Sequence, residues 1–209
     1  MTSDYQPDAV TGLILAGGQG QRMGGADKGL LAIDHRPMLE HILDALRPQV
    51  GRIIINANRN LDQYASYGHD VVSDASGEFL GPLAGMEVGL REARSQYVLT
   101  VPCDSPLVTP DLGPRLWLAA AHGDAHIAVA KDGERLHPVF ALIDTALHSS
   151  LIAFLESGQR KIDRWFEQHN TVIADFSDAP SMFLNVNRPD DLANVEAMFS
   201  RGKQDPKPQ

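Results

Sequence analysis

From Thr11 to about residue 200, strand-length apolar runs alternate with segments of helical period. "TGLILAG" (11–17), "RIIINAN" (52–58), "HDVVSD" (69–74), "YVLTVPCD" (97–104) and "TVIADF" (171–176) are the short runs. Between them, Met38, Leu39, Ile42, Leu43 and Leu46 mark one helical face, and Leu83, Met86 and Leu90 another. Near-continuous apolar strands separated by helices belong to a mainly parallel sheet covered on both faces. The predicted class is therefore α/β, a Rossmann-like three-layer α/β/α sandwich with a twisted sheet. "HIAVAKDGERLHPVFALI" (126–143) reads as two strands around a turn and predicts one antiparallel region. "TPDLGPRLWLAAA" predicts a helix with Thr109 as N-cap and Pro110 at its first position. Further helices are expected around 145–157, around 160–168 and from Pro189. Gly85 and Gly89 are expected to let a neighbour approach the second helix closely.

In such sheets, ligands sit beyond the carboxyl ends of the strands. Those ends carry Asn56, Asn58, Asp74 and Asp104, as four contributions to one place would. The first strand runs into "LAGGQGQRMGGADKGLL" (15–31), which holds Gly17, Gly18, Gly20, Gly24 and Gly25 together with Arg22 and Lys28. Glycines free the backbone to turn several amides towards one anion, and the two cations add charge to the same phosphates. Two familiar phosphate loops are excluded. A P-loop needs a Gly-Lys-Ser/Thr ending, whereas Lys28 lies between Asp27 and Gly29. A dinucleotide fingerprint would need glycine where Met23 stands. Taken alone, the loop is also compatible with a glycine-rich connection carrying solvated cations.

The formal net charge of −9 disfavours duplex nucleic acid or an anionic membrane as partner. A single cysteine, Cys103, allows no internal disulfide and fits a reducing cytoplasm. The opening "MTSDYQPDAV" lacks the form of a secretory signal, and no apolar run reaches the length of a membrane span. A cytoplasmic protein is expected, with residues 1–10 as a loose lead-in, 11–200 as one domain and 201–209 as a loose tail.

The glycine segment, with its L-A-G-G, R-M-G-G and D-K elements, resembles the signature of nucleotidyltransferases, and within them the molybdenum cofactor guanylyltransferase family. "NANR" (56–59), "GPLAGM" (81–86), "PCDSP" (102–106), "DGERLHP" (132–138) and "NVNRPDDL" (185–192) resemble that family's later motifs in the same order, over about residues 11–195. The resemblance implies a nucleotidyltransferase-type fold, its N-terminal half binding nucleotide and its C-terminal half the acceptor. It implies transfer of GMP from GTP to the terminal phosphate of molybdopterin, with Mg²⁺ as cofactor and pyrophosphate leaving. Asp104 would hold the metal, and Lys28 and Arg22 would neutralise phosphate charge. Leu15, Ala16, Gly17, Gly18, Lys28, Asn56, Asp74, Gly81, Gly85 and Asp104 would meet GTP. Asn185 and Asn187, alternating with Val186 on a short strand, would lie on the acceptor side. Arg160 and Lys161 are weaker candidates for the acceptor phosphate. A monomer is expected, and cofactor-insertion proteins or molybdoenzyme chaperones are partners that such a product admits.

Blander readings stand beside these. Asp104 can cap a turn, Asn56 can satisfy backbone at a strand end, and Asp74 can be a turn residue. His137 is expected to be packed rather than catalytic, and Cys103 to be a buried filler. A molybdopterin cytidylyltransferase, another phosphate-acceptor nucleotidyltransferase, and a nucleotide-binding module that delivers cofactor are the alternatives. Gly17 and Gly18 favour the guanine branch, because relatives of the other kinds resemble L-A-A-G here and a second glycine leaves room for a larger base.

Overall fold

The computed structural model describes residues 4–18, 27–74 and 81–202. Arg22, Gly20, Gly24 and Gly25 lie outside the described residues, as do residues 203–209 of the expected tail. Seven strands form one sheet in the order β5-β4-β1-β6-β8-β7-β9. They are β1 (Val10–Leu15), β4 (Arg52–Asn56), β5 (Asp70–Val72), β6 (Tyr97–Pro102), β7 (Ile127–Lys131), β8 (Leu136–Asp144) and β9 (Thr171–Asp175). A small hairpin, β2 (Ala32–Ile33) with β3 (Arg36–Pro37), stands apart. β1 pairs in parallel with β4 and β6, β4 with β5, and β7 with β9. β8 alone runs against its neighbours β6 and β7, which is the antiparallel region the sequence predicts. Its turn is set locally: Asp132 Oδ1 accepts from the amides of Glu134 and Arg135, and Gly133 has φ +96°.

Helices cover both faces, and strand alternation sorts the side chains between them. On one side, Ile14, Ile53, Ile55, Leu99 and Val101 pack with Leu39, Ile42, Leu43 and Leu46 of α1 (Met38–Leu46). Leu112, Leu116 and Trp117 of α4 (Leu112–Gly123) join the same core. On the other side, Leu13, Leu15, Ile54 and Val98 pack with Leu83, Met86 and Leu90 of α3 (Pro82–Glu92). Leu151 and Phe154 of α5 (His148–Glu156) and Trp165 of α6 (Ile162–Phe166) complete that layer. α2 (Leu61–Ala65) buries Tyr64. A third, small cluster of Ile33, Met38, Val186 and Val195 fastens α7 (Pro189–Gly202) to the β2–β3 hairpin. At Gly89, an added Cβ would stand 2.3 Å from Leu13 Cδ2, so the close approach expected there is a helix lying directly on β1.

Three expectations are corrected. The lead-in is packed from Tyr5 onward: Tyr5 sits edge-on against Trp117 at 5.5 Å, and Pro7 O accepts from the Gly51 amide at 2.7 Å. Its aromatic ring finds an apolar site that no local pattern announces. α4 starts at Leu112 with Asp111 at its N-cap, not at Thr109–Pro110. Gln49, from a distant segment, accepts from the Gly113 amide (2.6 Å) and donates to Thr109 O (3.1 Å), so a tertiary contact performs the capping assigned to Thr109. Residues 185–187 form no strand: the segment is held to the rest by one ladder-like bond, from the Val186 amide to Asp104 O at 2.8 Å. The alternation survives this, with Val186 fully buried between the two asparagines.

Candidate active site

A cavity of about 330 Å³ opens at the carboxyl ends of β1, β4 and β6. Here the chain leaves β1 towards β4 on one side and later returns to β6 on the other, the switch point at which open α/β sheets bind ligands. Leu15, Ala16, Gly17, Gly18, Lys28, Asn56, Asp74, Gly81, Asp104 and Asn185 line it, together with Asp27, Pro82, Pro102, Cys103 and Val139.

On one wall, Lys28 Nζ donates to Asp104 Oδ2 at 2.8 Å and also to Asn187 Oδ1. Asp104 follows β6 and is only 9% exposed, and its other oxygen, Oδ1, is buried with no hydrogen-bond partner among the described residues. A buried, unpartnered carboxylate oxygen is costly unless something else fills the place. Ser105 Oγ donates to Asn185 Oδ1 at 2.7 Å, which ties the segment before α7 to the same loop.

The opposite wall is an amide–carboxylate cluster. Asn56 Nδ2 donates to Asp74 Oδ1 at 2.9 Å, and Asn58 Nδ2 donates to Asp74 Oδ2 at 2.7 Å. Asn58 Oδ1 accepts from the Asp74 amide at 2.9 Å. Gly81, with φ +81°, turns the chain into α3, whose first residue, Pro82, lines the cavity. Gly85 lies one turn further in, where an added Cβ would stand 2.3 Å from Asn56 Oδ1. It therefore shapes the site from behind. An added Cβ at Gly17 would stand 3.2 Å from Asn58 Nδ2 and 3.4 Å from Asn56 Oδ1, while Gly18 meets nothing within 4 Å. The room expected from the glycine pair is thus used at Gly17 by two asparagine side chains and is open only at Gly18.

Beneath Lys28, Asp27 accepts from Tyr64 Oη (2.6 Å) and Asn60 Nδ2 (3.0 Å), with Arg59 Nε at 3.5 Å. Burial is the main reason that the Tyr64 phenol is pushed up, with Cys103 and Asp27 adding to it. Cys103 is held as a neutral thiol, pushed up first by burial and then by Asp104 and Asp27. This is the chemistry of a filler and not of a nucleophile.

Arg160 and Lys161 are not brought to the cavity. Arg160 Nη1 donates to the carbonyls of Leu155 and Gln159 at the end of α5, and Lys161 is the exposed N-cap of α6. His137 is packed, stacked on Phe183 at 4.0 Å and hydrogen-bonded to Asp132 Oδ2 at 2.8 Å. Sequence reasoning assigned no role to Asp27, Ser105 or Tyr64. Asp27 and Ser105 each adjoin an assigned residue, but Tyr64 carries no local signal.

Lys28 is the one cation among the described lining residues, against the carboxylates of Asp27, Asp74 and Asp104. A polyphosphate needs further positive charge here. Among the described residues there is no cluster of three or more His, Cys, Asp or Glu that could hold a metal by itself. The donor set nevertheless fits Mg²⁺, which takes one or two carboxylates and completes its shell with substrate phosphates and water. Asp104 Oδ1 is the available ligand.

Fold and cavity together define a nucleotidyltransferase-like α/β protein. Residues 12–172 match the family described as MobA-like NTP transferase domain. A molybdenum cofactor guanylyltransferase of Shewanella loihica is 49% identical over 185 residues, 88% of this chain and 93% of that protein. One from Shewanella sediminis is 47% identical over 196 residues, 94% of this chain and 98% of that protein. The crystal structure of molybdopterin-guanine dinucleotide biosynthesis protein A from Archaeoglobus fulgidus superposes with a TM-score of 0.78 at 22% identity, covering 91% of this chain and 99% of that one. The chain belongs to the MobA-like NTP transferase family, within its molybdenum cofactor guanylyltransferases.

Proposed function

We propose that the protein transfers GMP from GTP to the terminal phosphate of molybdopterin in an Mg²⁺-dependent reaction that releases pyrophosphate. The observation that carries this reading is the pairing of Lys28 with one oxygen of Asp104 while the other oxygen is buried with no partner among the described residues. The 47–49% identity to named guanylyltransferases supports the choice of nucleotide and acceptor.

The reaction forms a bond from an acceptor phosphate oxygen to the α-phosphorus of GTP and breaks the bond to pyrophosphate. It asks the protein for alignment and charge and for no covalent intermediate. Asp104 would hold Mg²⁺, which would offset charge at the phosphates. Lys28 and Arg22 hold the phosphates and stabilise the leaving pyrophosphate. Leu15, Ala16, Gly17 and Gly18 form the floor under the nucleotide; the Ala16 amide is taken by Asn56 O at 2.8 Å, so the amides of Gly17 and Gly18 are the ones offered to its oxygens. Asn56, Asp74 and Gly81 hold the nucleoside end, and Gly85 keeps Asn56 in place. Asn185 and Asn187 approach from the acceptor side, joined to the catalytic wall through Ser105 and Lys28. Arg160 and Lys161, turned away from the cavity, receive no part in this scheme.

A product assay tests the proposal. Purified protein, Mg²⁺ and molybdenum-loaded molybdopterin are mixed with GTP, CTP or ATP in separate reactions, and the pterin dinucleotide is sought by mass spectrometry. A GMP adduct from GTP alone is expected. A CMP adduct would overturn the choice of base, and no adduct with intact pterin would overturn the reaction.

A further inference from the structure

Asn58 does not line the cavity, yet it holds Asp74, which does. Its amide closes a two-bond ring on that residue: Nδ2 donates to Asp74 Oδ2 at 2.7 Å, and Oδ1 accepts from the Asp74 backbone amide at 2.9 Å. Asn56 grips the other carboxylate oxygen at 2.9 Å and spends its second hydrogen on Val72 O at 3.5 Å. A donor at each oxygen fixes the carboxylate plane. Both asparagine NH₂ groups are drawn to Asp74, so this wall offers acceptors to the cavity through the remaining lone pairs of Asp74, while Asn56 Oδ1 packs against Gly85 of α3.

We propose that Asn58 is a positioning residue for base selection, orienting Asp74 so that its carboxylate accepts the N1–H and N2–H₂ donors of guanine. This rests on the guanylyltransferase reading above. Cytosine and adenine present a ring-nitrogen acceptor beside one amino group, and an acceptor-only wall repels that nitrogen. A site built to pair with a donor rejects a base that lacks it. Inosine triphosphate keeps N1–H but has no 2-amino group, so it reports the second of the two contacts alone.

The test measures kcat/KM for GTP and for inosine triphosphate in the wild-type protein and in Asn58→Ala. The wild-type protein is expected to prefer GTP by about tenfold to a hundredfold, the worth of one charge-assisted hydrogen bond. In Asn58→Ala that preference should fall to within about threefold of unity, because the freed carboxylate loses its aim while inosine turnover drops less. Turnover of inosine triphosphate also reports that the variant is folded. If Asn58→Ala does not fold, Asn58→Ser, whose side chain is too short to span the ring, is expected to show the same collapse. An equal fall with both nucleotides, leaving the ratio unchanged, would mean a merely structural role and overturn the inference. Failure of the wild-type protein to use either nucleotide would instead overturn the parent reading.

Discussion

Lys28 Nζ and Asp104 Oδ2 lie 2.8 Å apart and join the end of the glycine segment to the end of β6. The lysine also reaches Asn187, 159 positions further along the chain. Three chain segments thus meet at one ammonium group. Both partners of the ion pair are largely buried, so the lysine places charge in the site and also supplies the counter-charge that the Asp104 carboxylate needs there. Lys28→Ala is expected to lower turnover by about a hundredfold to a thousandfold, as loss of one charge-stabilising donor does elsewhere, and to lower the urea midpoint as well, because it leaves a buried carboxylate without its counter-charge. Wild-type turnover would remove Lys28 from the chemistry.

Asp104 Oδ1 is buried without a partner among the described residues. Asp104→Asn keeps the shape and lowers the affinity for a hard cation. Half-maximal activity should then require at least about ten times more Mg²⁺, the scale of effect seen when ligand environments are altered. A superimposable metal titration would take the metal away from Asp104.

Two glycines on α3 separate site from scaffold. Alanine favours a helix over glycine by about 1 kcal/mol. At Gly85 its Cβ would stand 2.3 Å from Asn56 Oδ1, and at Gly89 2.3 Å from Leu13 Cδ2. Overpacking of this kind costs about 1–3 kcal/mol and should outweigh the helix gain in both variants. Gly85→Ala is expected to raise KM for GTP, whereas Gly89→Ala should lower the urea midpoint with KM little changed. Equal KM values in the two variants would contradict the placement of Asn56 at the nucleotide.

Removal of the Tyr64 hydroxyl leaves the buried Asp27 carboxylate short of a donor. Tyr64→Phe should lower the unfolding free energy by about 1–3 kcal/mol in urea titration, the cost of leaving a buried acceptor unsatisfied. An unchanged midpoint would show that Asn60 and Arg59 suffice for Asp27.

Asp132 is depressed to about 2, first by the Arg135 amide, then by His137 and the Glu134 amide. Its folded value lies below the unfolded one, which is near 4. Its stabilising contribution is therefore complete above pH 4 and is lost as pH falls towards 2. Asp132→Asn should make the acid-unfolding profile shallower between about pH 4 and 2. The same slope in both proteins would deny the carboxylate that role.

Much of the fold was legible because it is local. Strands of β-branched and leucine residues announce burial on both faces, and the spacing of Leu39, Ile42, Leu43 and Leu46 announces α1. Strand ends bearing Asn56, Asp74 and Asp104 could be collected in advance, since parallel strands all finish on one side of a sheet. The α4 cap was misplaced because Gln49, 60 positions before Thr109, supplies it. The packing of Tyr5 against Trp117 was missed for the same reason.

By itself, the sequence determined the class of sheet, the glycine segment on β1, the order of motifs that marks the family, and the residues available to a nucleotide. Only the tertiary structure decided which of them meet. It set Lys28 between Asp104 and Asn187, left Asp104 Oδ1 without a partner among the described residues, closed Asn58 onto Asp74 and left Arg160 outside the cavity. Periodicity is carried by neighbours a few residues apart, whereas these contacts depend on strand order and helix packing, which bring distant segments together.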